Sequence, residues 1–251
     1  MQRDDLVTYL DAYLRIAEIP DYGPQGLQVE AEGRSVTRIA LAVDVAPPVI
    51  AAAARWGADM LIVHHGLLWS GVERISGPLG RRVRDLLSHN IHLYAAHLPL
   101  DAHPQVGNNA VLAQLLDVSV ERWWGSFNGT ALGVVGTLSA EKSLPDFVAL
   151  VNSRLHTQAR VLAHGPAQTR RVAILSGGGA GQERLVKSLG ADTYLTGETS
   201  HSHYWAAADL GLNVIFGGHY ATETVGVRAL GRHLSEKFGL EVEFFDFPTA
   251  M

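Results

Sequence analysis

Six residues of this chain have the types and spacing to do metal chemistry: the adjacent pair His64 and His65, the pair His97 and Asp101, and the pair His219 and Glu223. Neutral imidazole and carboxylate are the usual ligands for Zn, Fe, Mn, Co or Ni when thiolate is absent. The chain has no cysteine. That removes disulfides, thiolate catalysis and every cysteine-based zinc or iron–sulfur site, so any metal must be held by nitrogen and oxygen. Asp101 and Glu223 each offer two oxygens, which suits bridging between two ions. Successive side chains of an extended backbone point to opposite sides, so a turn at Gly66 is expected to let the two adjacent histidines reach different ions.

Each residue also has an ordinary explanation. A His-His pair at a strand end is more often structural or solvated than metal-binding. Asp101 has the type of a helix or turn cap. Glu223, next to Thr222 near the start of an expected long helix, gains from the helix dipole. What weighs against these readings is that all six residues fall in equivalent places of one expected fold.

The elements that must position them alternate. Residues 3–17 carry Leu6, Tyr9, Leu10, Tyr13 and Leu14 at helical spacing, and residues 19–28, with two prolines and two glycines, are expected to be loop. Then come a strand at 39–45, a Pro-started helix at 47–56, a strand at 60–64, a helix at 78–89, a strand at 91–97 and a helix at 108–116. Residues 119–168 break the rhythm with the Gly-rich GSFNGTALGVVGTL, a helix near 145–155 and a short strand. Alternation then resumes: strand 172–176, helix 182–189, strand 193–196, helix 200–210, strand 213–216, helix 222–238 and strand 242–247. Alternating strands and helices imply an α/β fold with mostly parallel sheets and helices on both faces.

The chain also repeats. GADMLIVHHG resembles GADTYLTGE, and IHLYAAHLPLD resembles LNVIFGGHYATE, which sets His97-x₃-Asp101 opposite His219-x₃-Glu223. The expected organisation is a first half (1–118), an inserted segment (119–168) and a second half (169–251), with the two repeat-related halves sharing a metal cleft. In open α/β sheets the functional crevice lies outside the carboxyl ends of the strands, which is where the six residues fall. Two further features are noted. SGGGAGQ has the place of a phosphate-binding turn between strand and helix, but Gln182 replaces a third glycine, and a tight turn without ligand is the preferred reading. His201 and His203 are read as rim residues outside the ligand set.

Composition limits the partners. With 251 residues, 47% hydrophobic and 18% charged, the chain is globular, and its formal net charge of −5 gives no overall basic field for nucleic acid. The N-terminal MQRDDLVTYLDAYL carries acids inside its apolar pattern, so neither a signal peptide nor a membrane span is expected, and a cytoplasmic location follows.

DYGPQGLQVE (21–30), ADMLIVHHGLLW (58–69), YAAHLPLDAHPQVGNNAVLAQLL (94–116), GGGAGQ (177–182), GADTYLTGE (190–198) and GGHYATETVGVRAL (217–230) together resemble the Nif-three-like family, whose bacterial members are labelled GTP cyclohydrolase I type 2 homologues or YbgI-like proteins. The resemblance spans nearly the whole chain in the family's order. It implies a dinuclear site for two divalent metal ions, with ligands His64, His65, Asp101, His219 and Glu223, in a ring-shaped homohexamer whose sites open to its interior. His97, which belongs to both the repeat and the motif, is read as a residue beside the ions or a proton carrier, with a packing role as the alternative. The implied activity is metal-dependent hydrolysis of a nucleotide-like small molecule, with attack at C8 of a guanine nucleotide as the label suggests. The alternative is a non-enzymatic metal-binding regulator, metal-handling protein or interaction scaffold.

Overall fold

A computed structural model describes residues 1–72 and 74–250. The chain forms two compact units, one made of Met1–Val106 with Val227–Phe247, the other built on Gly107–Gly226.

In the first unit the order is α1 (Arg3–Tyr13), β1 (Gly26–Val29), β2 (Arg38–Asp44), α2 (Pro47–Trp56), β3 (Met60–His65), α3 (Gly77–Ser88), β4 (His92–Ala95) and α4 (Leu98–Asp101). It is completed from the chain's end by most of α9 (His219–Phe238) and by β11 (Glu241–Phe244). The sheet runs β1-β4-β3-β2-β11, parallel throughout except for the antiparallel edge strand β1. Both faces are covered, and the strands show why. Ile39, Leu41, Met60 and Ile62 pack with Leu6, Leu10 and Leu14 of α1 and Leu230 and Leu234 of α9. Their neighbours Ala40, Ala42, Leu61 and Val63 pack with Val49, Ile50 and Ala53 of α2 and Leu86 of α3. Strands buried on both sides must be apolar at every position, which is why residues 39–43 and 60–63 read as continuous runs. Each fully buried leucine contributes ~1.5–3 kcal/mol relative to exposure.

The second unit contains α5 (Asn108–Leu115), β5 (Val118–Phe127), β6 (Thr130–Ser143), α6 (Leu144–Leu155), β7 (Arg160–Ala163), β8 (Gln168–Leu175), α7 (Glu183–Ser188), β9 (Thr193–Thr196), a 3₁₀ turn (His201–His203), α8 (Tyr204–Leu210) and β10 (Asn213–Phe216). Its sheet, β5-β6-β8-β9-β10-β7, is parallel only in the centre, from β8 to β10. The Gly-rich stretch that broke the alternation is the β5–β6 hairpin. Phe127 pairs with Thr130 across Asn128 and Gly129, both at positive φ, the two-residue turn that Asn-Gly favours.

The repeat is present within each unit at the level of single hydrogen bonds. Asp59 Oδ2 accepts the backbone N–H groups of Thr37 and Arg38, and Asp192 Oδ2 accepts those of Arg170 and Arg171. His92 Nδ1 accepts from the Ala31 N–H and Asn213 Oδ1 from the Gly165 N–H, so each ties down the segment beside its antiparallel edge strand. The expected pairing of His97 with His219 is off by one residue. The Ala96 N–H donates to Val63 as the Gly217 N–H does to Thr196, which makes Gly218 the counterpart of His97. Both are the residues just before a helix: Asp101 N–H bonds to the His97 carbonyl and Thr222 N–H to that of Gly218.

Candidate metal centre

In the first unit the ligand candidates stand at the carboxyl ends of β3 and β4. His64 is fully buried, with Nδ1 3.0 Å from the carbonyl oxygen of Ala96. His65 sets its Nδ1 2.8 Å from Oδ1 of Asp44, its register partner on β2. The two rings do not diverge as an extended pair would. Their centroids are 4.8 Å apart, and one nitrogen from each of His64, His65 and His97 lies within 4.8 Å of the others. Gly66 follows with no room for a side chain, since a Cβ there would run into Gln28 and Ala95.

His97 precedes α4, and its Nδ1 is 2.8 Å from Asp21 Oδ1. The Asp21 side chain is 2% exposed and also accepts the N–H groups of Leu98 and Tyr22. Asp101, buried at the end of α4, places Oδ2 3.7 Å from His64 Nε2.

In the second unit the candidates open α9. His219 has Nδ1 3.1 Å from Glu198 Oε1 and Nε2 3.2 Å from Glu223 Oε1. The hydrogen bond to Glu223 is the largest cause, followed after desolvation by the charges of Glu223 and Glu198, that pushes the His219 imidazole up to about 9. Glu223 is 3% exposed. A helix dipole offers ~0.3–1 kcal/mol, whereas burying a carboxylate costs several kcal/mol unless a cation offsets it. The dipole alone therefore does not account for Glu223, whose Oε1 lies 3.2 Å from the His219 ring.

The glycine loop serves this same corner. Gly177 is at positive φ, and a Cβ there would run into the Glu223 carboxylate and approach the His219 ring. Its N–H donates to Thr222 Oγ1. Gly179 leaves room for Tyr194 and Thr196, and the Tyr194 hydroxyl donates to its carbonyl. The glycines thus bring backbone against side chains, and α7 behind them has six residues.

Other histidines are spent differently. His92 accepts from Ala31 N–H at Nδ1 and bonds the Gly33 carbonyl at Nε2; burial holds its pKa down. His103 Nδ1 accepts the N–H groups of Gln105 and Val106 and caps the turn after α4. His203 lies 3.8 Å from Glu183. Sequence reading missed Asp21, Asp44 and Glu198 as the oxygens behind the rings. The available signal was their position: Asp44 closes β2 beside the strand of His65, Glu198 follows β9 beside the strand that leads to His219, and Asp21 opens the DYGPQG motif.

Fold and side chains define a two-unit, repeat-built α/β protein with nitrogen and oxygen donor groups suited to a metal. Residues 1–250 match the model of the DUF34/NIF3 (NGG1p interacting factor 3) family, and the chain belongs to that family. A relative named GTP cyclohydrolase 1 type 2 homolog from Deinococcus radiodurans is 42% identical over 99% of this chain and 94% of its own length. Another of that name, from Pyrococcus horikoshii, is 42% identical with all of both chains covered. Among solved structures, the protein ybgI, titled as of unknown function, superposes with a TM-score of 0.94 at 36% identity, and a protein from Thermus thermophilus with 0.90 at 40%; each covers 100% of both chains. Among the described residues no helix is long and apolar enough to cross a membrane.

Proposed function

We propose that His64, His65, Asp101, His219 and Glu223 are the protein ligands of two divalent metal ions, and that the protein is a hydrolase for a nucleotide-like substrate at that centre. The observation that carries the reading is the treatment of Nδ1. In His64, His65, His97 and His219 this atom faces an oxygen, from Ala96, Asp44, Asp21 and Glu198 in turn. An oxygen acceptor fixes the proton on Nδ1 and leaves the lone pair of the neutral ring on Nε2. Metal-ligating histidines almost always have such a partner behind them. The structural His92 and His103 instead use Nδ1 as an acceptor.

When bound, two divalent ions supply Lewis acidity and lower the pKa of water toward ~7. The chain's own contributions follow from the side chains. Five protein ligands shared by two ions leave positions open for substrate. Asp21 holds the His97 ring so that Nε2 is the atom that takes up or delivers a proton. The relatives' name supports a guanine nucleotide as the substrate to try first. We also propose, from the family resemblance, that the chain assembles as a homohexamer, which light scattering would read as six times the 27.1 kDa chain mass.

The test is elemental analysis of purified protein beside a hydrolysis screen over nucleotides and phosphoesters. About two equivalents of metal with turnover that falls in the ligand variants supports the proposal. No metal after incubation with Zn, Mn or Fe salts overturns the site. Two equivalents with no turnover, and ready exchange of ions with an apo acceptor, replaces the hydrolase with a metal-handling protein.

A further inference from the structure

An open surface pocket of about 190 Å³ in the second unit is lined by Arg160, Leu162, Thr199, Ser200, His201 and Tyr204, with Arg160, Ser200 and His201 exposed. Its size equals roughly six waters of liquid volume. Arg160 and Leu162 come from β7, the antiparallel edge strand beside β10; the other four residues come from the segment that follows Glu198 and enters α8. The lining is one-sided in chemistry. It has a guanidinium, an imidazole and three hydroxyls, and no carboxylate.

An arginine on an edge strand has an ordinary use, since charge there discourages strand addition. That use does not call for a pocket lined with further donor side chains. Arg160 forms no ion pair among the described residues, although it is permanently charged and built to bind two oxygens at once. Two of the three hydroxyls beside it are held by the chain itself: Thr199 Oγ1 donates to the Ser200 carbonyl, and Ser200 Oγ lies 2.7 Å from Ser202 Oγ. Buried Leu162 supplies an apolar wall.

We propose that this pocket binds a phosphate group, carried by a small phosphorylated ligand, with the Arg160 guanidinium as the principal contact and Ser200, Tyr204 and His201 as further donors. Arginine pairs with phosphate through two parallel hydrogen bonds. The site stands apart from the proposed metal ligands in its residues and does not depend on them. The step from Glu198, which faces His219, to Thr199 joins the two along the chain.

The experiment is calorimetric titration of the purified protein with inorganic phosphate and with a nucleoside monophosphate, on wild type, Arg160→Gln, Ser200→Ala/His201→Ala and Glu223→Ala. Phosphate also binds metal ions, so the last variant separates the two sites. The expected result is saturable binding that weakens at least about tenfold in Arg160→Gln, weakens less in Ser200→Ala/His201→Ala, and persists in Glu223→Ala when its metal is lost. Metal content should be unchanged by Arg160→Gln. Wild type that fails to saturate at millimolar phosphate, binding untouched by Arg160→Gln, or binding that disappears with the metal would each overturn the proposal.

Discussion

The strand system β2-β3-β4 in the first unit and β8-β9-β10 in the second share a frame and differ at the tips. Asp59 and Asp192 hold the same two backbone amides, and His92 and Asn213 tie down corresponding segments. Beyond Val63 and Thr196 the resemblance stops. His64 and His65 occupy the places of Gly197 and Glu198, and His97 that of Gly218. One unit therefore offers three imidazoles and a carboxylate, the other one imidazole between two carboxylates. The lesson is that the frame is kept where a side chain ties down backbone N–H groups, by aspartate at both Asp59 and Asp192 and by different residues at His92 and Asn213. The tips, where the strands stop pairing, are left to diverge.

The sharpest way to break this comparison is to empty the tips. Glu223→Ala and Asp101→Ala should each lower bound metal from about two equivalents to one or fewer and abolish turnover, with circular dichroism unchanged; Glu223→Ala is expected to lose more. Metal retained in full by both variants would make the tips merely structural. His97→Ala should separate the roles within one tip: metal content stays and the rate falls by ~10²–10⁴, the usual span for a lost general acid or base. If metal falls as well, His97 is a ligand beside His64 and His65. Asp21→Asn should give a smaller loss of rate and a shift in the pH profile, since it acts on His97 by orientation.

The frame makes the opposite prediction. Asp59→Ala and Asp192→Ala should each cost about 2 kcal/mol in urea unfolding, from two amide bonds to a charged acceptor, while metal content stays the same. A large loss at one position and none at the other would show that the repeat is geometric only.

The smallest expected effect is on pH dependence. In the ion-free protein Glu223 and Glu198 hold His219 charged up to about pH 9, against ~6.5 for an unfolded imidazole. Its folded pKa is raised, so the stability it contributes is complete below ~6.5 and is lost as pH rises through about 9. A metal must displace that proton, so from this group apparent metal affinity should rise about tenfold per pH unit below that value. Glu198→Gln should end the rise at a lower pH, as competition titrations with a chelator would show. A flat profile from pH 7 to 9 would mean that His219 carries no proton for the metal to displace.

Much of the frame was legible in the sequence because strands buried on both faces leave continuous apolar runs and helices leave caps. Pro47–Trp56, Thr193–Thr196 and Asn213–Phe216 form where expected. Gly26–Val29, expected as loop, is a four-residue edge strand beside proline and glycine that carries too little pattern. The β5–β6 hairpin escapes the helix–strand alternation although Asn128-Gly129 marks its turn. Residue type and spacing also selected the six candidate side chains, because imidazole and carboxylate at strand ends have few other uses in common.

What the sequence by itself determined was therefore the alternating frame and the chemical inventory of its tips. Tertiary structure alone decided that β11 pairs with β2 from the far end of the chain. It also decided that Gly218 and not His219 answers to His97, and that Asp21, Asp44 and Glu198 stand behind the rings. The reason is physical: periodicity records which face of an element is buried, whereas strand order, register and the oxygen behind an imidazole are set by contacts between residues far apart in the chain.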